Sequence, residues 1–224
     1  MQKISFKDMF GLTDLVLSGQ KTQTRRIEKS LLPLQTKEIK GQRYKFFDDE
    51  YKRVTDDLRY LDTAAPDMYA VIVRTTDEKL LEFKPQYRMG EVVVVAQNYE
   101  KAKVEFVPFK EGNGQWGNPR ELAGWTNKMF VRPELMPHAI KITNIRIERL
   151  QDISDEDCMK EGIIEHTAEI IPNYPPYTQY CCGISEVFCD TPRQAFAALI
   201  NKIYGKGTWE SNPYVWVYDF ELVK

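Results

Sequence analysis

Gly19-Gln20-Lys21-Thr22-Gln23-Thr24-Arg25-Arg26-Ile27 carries three cations and two hydroxyls between Lys21 and Arg26. It stands directly behind a predicted helix. Ser5 followed by Asp8 reads as a capping box opening that helix, from about Lys7 to Ser18. Met9, Leu12 or Thr13 and Val16, with Phe10 and Leu17 beside them, give it a broad apolar face. Gly19 is the expected stop, because glycine enters the left-handed conformation without strain. From Lys21 to Ile27 threonines alternate with polar residues, which predicts an extended segment. In a strand, Thr22, Thr24 and Arg26 share one face, and Lys21, Gln23 and Arg25 the other. A solvated edge strand and a functional segment are both open at this point.

The chain has 224 residues, of which 42% are hydrophobic, enough for one elaborated domain with a real core. Charged residues make up 29%, and the mean hydropathy is −0.48. No run reaches the roughly 20 apolar residues of a bilayer span, and no signal peptide opens the chain. These features predict a cytoplasmic protein without membrane contact. Lys and Arg number 31 against 33 Asp and Glu, so the chain is not a strongly basic duplex binder. Contact with phosphates has to come from a local cluster. Cys158, Cys181, Cys182 and Cys189 lack paired C-x-x-C spacing, so reduced thiols are expected rather than a zinc site with His138 or His166. No metal or cofactor is expected.

Ser30 to Asp67 is densely charged, with a predicted hairpin around Tyr44 to Val54. Met68 to Arg74 and Val92 to Ala96 read as strands, the second entered through a turn at Arg88-Met89-Gly90-Glu91. Glu100 to Arg132 has no clean period and reads as a long loop. Trp116 and Trp125 within it suit either base stacking or anchoring of the loop, and anchoring is favoured. Ala139 to Leu150 alternates as a strand, but its apolar positions switch from even to odd near Asn144, which predicts a bulge. Ser154 caps a short helix that stops at Gly162 and sets Asp157 and Glu161 on one face. Like charges at that spacing raise carboxylate pKa values. Pro172 to Gly183 is excluded from helix by its prolines and reads as an aromatic loop or cover. Thr191-Pro192 starts an amphipathic helix carrying Phe196, Leu199, Ile200 and Ile203 and ending at Gly205. Tyr214 to Leu222 is a core strand. Scattered strands with few helices predict an α+β domain built on a small barrel.

Four segments resemble the ASCH family of the PUA-like superfamily, in particular its larger bacterial and phage-borne members. They are Gly19-x-Lys21-Thr22-x-Thr24-x-Arg26; Arg88-x-Gly90-Glu91-Val92; Ile145 to Ser154 continuing to Glu161-Gly162-Ile163; and Asn212-Pro213-Tyr214-Val215-Trp216-Val217. Their order along the chain matches the family. The resemblance implies one PUA-like β-barrel domain over residues 1–224, with flanking helices and insertions at about 30–67, 100–132 and 164–190. It also implies a cleft suited to RNA or a nucleoside.

The family's small amidohydrolases hydrolyse N(4)-acetylcytidine with a Lys, a Thr and a Glu, which correspond here to Lys21, Thr24 and Glu161. Thr24 then supplies the hydroxyl, Lys21 the base, and Glu161 the proton shuttle. Arg25 or Arg26 stabilises an oxyanion or holds a phosphate. The larger members carry an Arg-Glu-Thr-Trp-like run where this chain reads Ala96-Gln97-Asn98-Tyr99, which exchanges a charged wall for neutral hydrogen-bonding groups. The leading expectation is a module that binds RNA or a modified nucleotide through Thr22, Arg25, Arg26, Gln97, Asn98 and Tyr99. A hydrolase of the amidohydrolase or ribonuclease type follows it, and a structural or interaction protein of a mobile element comes third.

Overall fold

Two long antiparallel strands at the centre of one sheet position everything else. The computed structural model describes residues 1–27, 44–47, 71–75, 80–108, 116–167, 177–183 and 188–223. In chain order its elements are β1 (Lys3–Ile4), α1 (Leu12–Leu17), β2 (Gln23–Arg26), β3 (Tyr44–Phe47), β4 (Val71–Thr75), β5 (Leu80–Phe83), β6 (Val92–Val95), β7 (Val107–Pro108) and β8 (Trp116–Gly117). There follow β9 (Ala139–Arg149), α2 (Asp155–Lys160), β10 (Ile163–Thr167), β11 (Thr178–Cys182), α3 (Pro192–Tyr204), α4 (Thr208–Ser211) and β12 (Tyr214–Leu222). Single 3-10 turns stand between several of them.

The main sheet has five strands in the order β1-β6-β9-β12-β2, with β1 parallel to β6 and every other pair antiparallel. Among the described residues it is open, so the fold is α+β with few helices and not the closed barrel expected. Closure would require β1 to bond β2. The carbonyl after β1, on Ser5, instead accepts from the Arg26 side chain at 2.9 Å.

Periodicity explains why β9 and β12 lie at the centre. Ile140, Ile142, Ile145 and Ile147 are all buried, and the switch of parity between Ile142 and Ile145 coincides with a bulge. Asn144 pairs with Asp219 while Ile142 pairs with Phe220, leaving Thr143 as the extra residue. Strand β12 buries both faces from Tyr214 to Tyr218, as a strand with neighbours on either side must. Burying one such aliphatic or aromatic side chain is worth about 1.5–3 kcal/mol. Helix α3 adds Phe196, Leu199 and Ile200 to the same core. Its start is as expected: Thr191 Oγ1 accepts from the Gln194 N–H at 3.2 Å and Pro192 takes the first position.

Several local expectations are revised. The predicted helix from Lys7 to Ser18 is split by Gly11, whose φ of 67° leaves a 3-10 turn at Asp8–Phe10 and a shorter α1. No capping box forms, because the Asp8 carboxylate accepts from Thr13 and Lys128 instead. Strand β3, the first half of the hairpin expected at Tyr44 to Val54, pairs with β4, and residues 48–54 lie outside the described part. Within the expected loop at Pro172 to Gly183, Thr178–Cys182 forms β11 against β10. The strand begins only after the last proline, where every residue again has an N–H to donate. Within the expected loop at 100–132, of which 109–115 lie outside the described part, residues 100–108 and 116–132 run as turns, 3-10 turns and the short strands β7 and β8. Trp125 anchors them, packed against a second cluster of Val94, Ala96, Tyr99, Val107, Val131, Met136 and Ala139. Among the described residues no helix is long and apolar enough to cross a membrane.

Gly183, just beyond β11, touches the turn before α1: a Cβ there would lie 2.0 Å from the Phe10 carbonyl oxygen, at φ +47°. Gly183→Ala is expected to destabilise the protein by about 3 kcal/mol or more, read as a lowered midpoint in urea unfolding.

Candidate functional site

Strand β2 is an edge strand by pairing, yet Lys21, Gln23, Thr24 and Arg25 are all buried. Helix α2, the end of β9 and helix α3 close over it. A cavity of about 350 Å³ opens beside it. Lys21, Thr24, Arg25, Arg26 and Glu161 line one side, and Phe6, Leu12, Phe196, Leu199, Ile200 and Ile203 supply an apolar wall. The three residues expected as a catalytic set therefore converge on one space.

Lys21 reaches Glu161 across 140 positions of sequence. Ser154 Oγ accepts from the Asp157 N–H at 3.1 Å to start α2, and Glu161 is the residue that ends it. Carbonyls at a helix end lack helical N–H partners, and the negative end of the helix favours a cation. Lys21 Nζ meets both demands, donating to the Glu161 carbonyl at 2.6 Å, to Glu161 Oε2 at 2.6 Å and to the Gln23 carbonyl at 2.7 Å. All three ammonium hydrogens are used. Burial lowers the Lys21 pKa, and the Glu161 charge opposes that shift.

Arg25 is more completely enclosed. Its Nε and Nη2 donate to Glu148 at 2.8 and 2.5 Å, Nη2 also to Asp157 at 2.9 Å, and Nη1 to Glu161 at 3.3 Å and to Gln23 Oε1. Burial works against this charge, but Glu161 and Glu148 outweigh it and hold the pKa above the ordinary arginine value. Asp157 and Glu161 do share a face of α2, as expected. The cation between them reverses the expected shift for Asp157: burial raises its pKa, while Arg25, then Arg146, bring it below the ordinary value. Arg146 extends the network to Glu148, Asp157 and Asp219 at 3.2, 2.7 and 2.7 Å.

The remaining expected residues separate. Thr24 is 6% exposed and its hydroxyl makes no hydrogen bond among the described residues. Arg26 is half-buried, with its guanidinium 5.7 Å from the Phe6 ring centre. Thr22 faces a different recess, shared with Gln23, Asn144, Arg146, Lys160 and Asp219. Gln97, Asn98 and Tyr99 do not line the cavity. Asn98 caps a turn by accepting from the Lys101 N–H at 2.8 Å, and Tyr99 is buried with its hydroxyl accepting from the Arg132 N–H at 3.0 Å. Gln97 is buried too, its Oε1 without a partner among the described residues.

Sequence reasoning missed the apolar wall: the α3 stripe of Phe196, Leu199, Ile200 and Ile203 was legible, but not that these core residues also face the cavity. It also missed Glu148 and Arg146 as partners of Arg25 and Asp157. All four cysteines are free thiols, and burial pushes Cys158 and Cys182 up to about 12. Among the described residues no cluster of His, Cys, Asp and Glu could hold a metal ion.

Removing one partner of a buried pair strands the other charge, so Lys21→Met is expected to cost about 3–5 kcal/mol in urea unfolding. The Asp157 carboxyl, depressed in the folded protein, stabilises the fold above its unfolded value of 3.8, and this contribution is lost as pH falls through the folded value. Asp157→Asn is therefore expected to flatten the acid limb of stability below about pH 4, followed by urea midpoints across pH. Comparison with protein-family models, curated proteins and solved structures finds no match to this chain.

Proposed function

We propose that the chain is a PUA-like module of the ASCH type that binds RNA or a modified nucleotide by taking one nucleoside unit into the cavity beside Lys21–Arg26. The observation that carries this reading is the division of the cavity's lining. One side is polar and fixed by the buried ion network, and the other is the apolar surface of Phe6 and α3. A volume of about 350 Å³ lies at the small end of ligand pockets, which suits one flat heterocycle and its sugar rather than an extended strand. The near-neutral net charge fits a single local contact in preference to a long phosphate track.

A second reading, hydrolysis of an acylated nucleoside, is favoured by one observation: Thr24, Lys21 and Glu161 open onto the same cavity. It ranks second because the Lys21 ammonium has all its hydrogens committed. To act as a base it must first pass a proton to Glu161 and leave a carbonyl partner.

One experiment tests both. Cytidine and N(4)-acetylcytidine are titrated calorimetrically against the native protein and Ile203→Trp, whose indole fills the cavity from its apolar side. Binding by the native protein and loss of at least about ten-fold in affinity in Ile203→Trp, with stability changed by less than about 1 kcal/mol, are expected. No binding to either nucleoside would defeat the first reading. Release of cytidine from N(4)-acetylcytidine, followed by chromatography and abolished by Thr24→Ala, would promote the second. Turnover no greater than that of Lys21→Ala and Thr24→Ala would remove it.

A further inference from the structure

We infer that the ligand of this cavity carries an anionic group, a phosphate monoester or a carboxylate, held by Arg26 with Lys7 at the rim; the inference rests on the nucleoside reading above. The charges around the cavity are not equally occupied. Glu161 is the one carboxylate among its lining residues, and both its oxygens are taken, Oε2 by Lys21 at 2.6 Å and Oε1 by Arg25 at 3.3 Å. Lys21 and Arg25 are thereby neutralised within the protein, and Arg25 has Glu148 and Asp157 in addition.

Arg26 lines the same cavity and has no ion pair among the described residues. Its one hydrogen bond runs from Nη2 to the Ser5 carbonyl at 2.9 Å, and its Nε–H is buried without any partner. The Phe6 ring, 5.7 Å away, and the Ser5 carbonyl hold the guanidinium in place before any ligand arrives. The Nη1 hydrogens and the second Nη2 hydrogen have no partner among the described residues, and that end-on fork matches the two oxygens of a phosphate or carboxylate. Lys7, also on the cavity and exposed, has no ion pair among the described residues either, and adds a second charge where an anion would enter. The remaining lining side chains carry no charge: they are the Thr24, Ser5 and Tyr204 hydroxyls and the apolar wall.

The test compares cytidine, cytidine 5′-monophosphate and 5-carboxycytidine by titration calorimetry, at low and high salt, with native protein, Arg26→Gln and Arg26→Lys. At least one anionic probe is expected to bind ten-fold or more tightly than cytidine. That advantage should shrink at high salt, vanish in Arg26→Gln, whose affinities for the three probes become equal, and return in part in Arg26→Lys. Advantage for the monophosphate places the anion on the sugar, and advantage for the carboxylated base places it on the heterocycle. Equal affinity of all three probes for the native protein overturns the inference and leaves nucleoside binding standing, whereas absence of binding to all three overturns both. The native protein's salt dependence carries the test should Arg26→Gln fail to fold. An anionic advantage that persists unchanged in a folded Arg26→Gln also overturns the assignment.

Discussion

The contact between the Lys21 ammonium and the end of helix α2 is the constraint on which the candidate site depends. Taking an ammonium and a carboxylate out of water costs several kcal/mol each, and mutual attraction recovers this only when every remaining hydrogen and lone pair is satisfied. Lys21 meets that condition through two backbone carbonyls and one carboxylate oxygen. Glu161 meets it through Lys21 and Arg25, and Arg25 through Glu148, Asp157 and Gln23. These demands interlock, so β2, α2 and β9 have one mutual arrangement that leaves no charge stranded. The cavity inherits its shape from that arrangement.

The network also divides the basic segment into two kinds of residue. Lys21 and Arg25 are consumed by the fold, whereas Thr24 and Arg26 line the cavity without a carboxylate partner among the described residues. Within the strand this follows the pleat: Gln23 and Arg25 share one face and bond each other, and Thr24 and Arg26 take the other. Two cations side by side in sequence thus have opposite roles. An aromatic wall drawn from Phe6 and Phe196, near opposite ends of the chain, completes the space.

Much of the architecture was legible in the sequence because it rests on local rules. The parity switch in Ala139–Arg149 gave away the bulge, Ser154 and Thr191 marked two helix starts, and alternation identified β12. The pairing of Lys21 with Glu161 was legible only through the resemblance, since nothing local joins positions 140 residues apart. What stayed hidden depended on partners elsewhere. Asp8 looked like a cap until Lys128 and Thr13 claimed it, and Arg25 looked like a ligand residue until three carboxylates enclosed it. Gln97, Asn98 and Tyr99 were read as a site wall, but Asn98 caps a turn and Tyr99 packs into the second hydrophobic cluster, away from the cavity. Open sheet edges are equally nonlocal: near the ends of β1 and β2 the described contact is the Arg26 side chain on the Ser5 carbonyl, 21 residues apart in sequence.

The register of β2 against β12 has a temporal consequence. Gln23 pairs with Asp219, 196 residues later, so among the described residues the segment that carries the site has no strand partner until Asp219 has been made. At about 5–20 residues per second, the ribosome needs roughly ten seconds or more to cover that separation. Throughout that interval Lys21, Arg25 and Arg26 remain hydrated, and the cost of burying them is deferred to the final step. The cavity as described therefore depends on β12 and forms only once Tyr214–Leu222 have been made. Chains dominated by such distant pairings fold slowly for the same reason, because loop closure must precede the contacts that reward it.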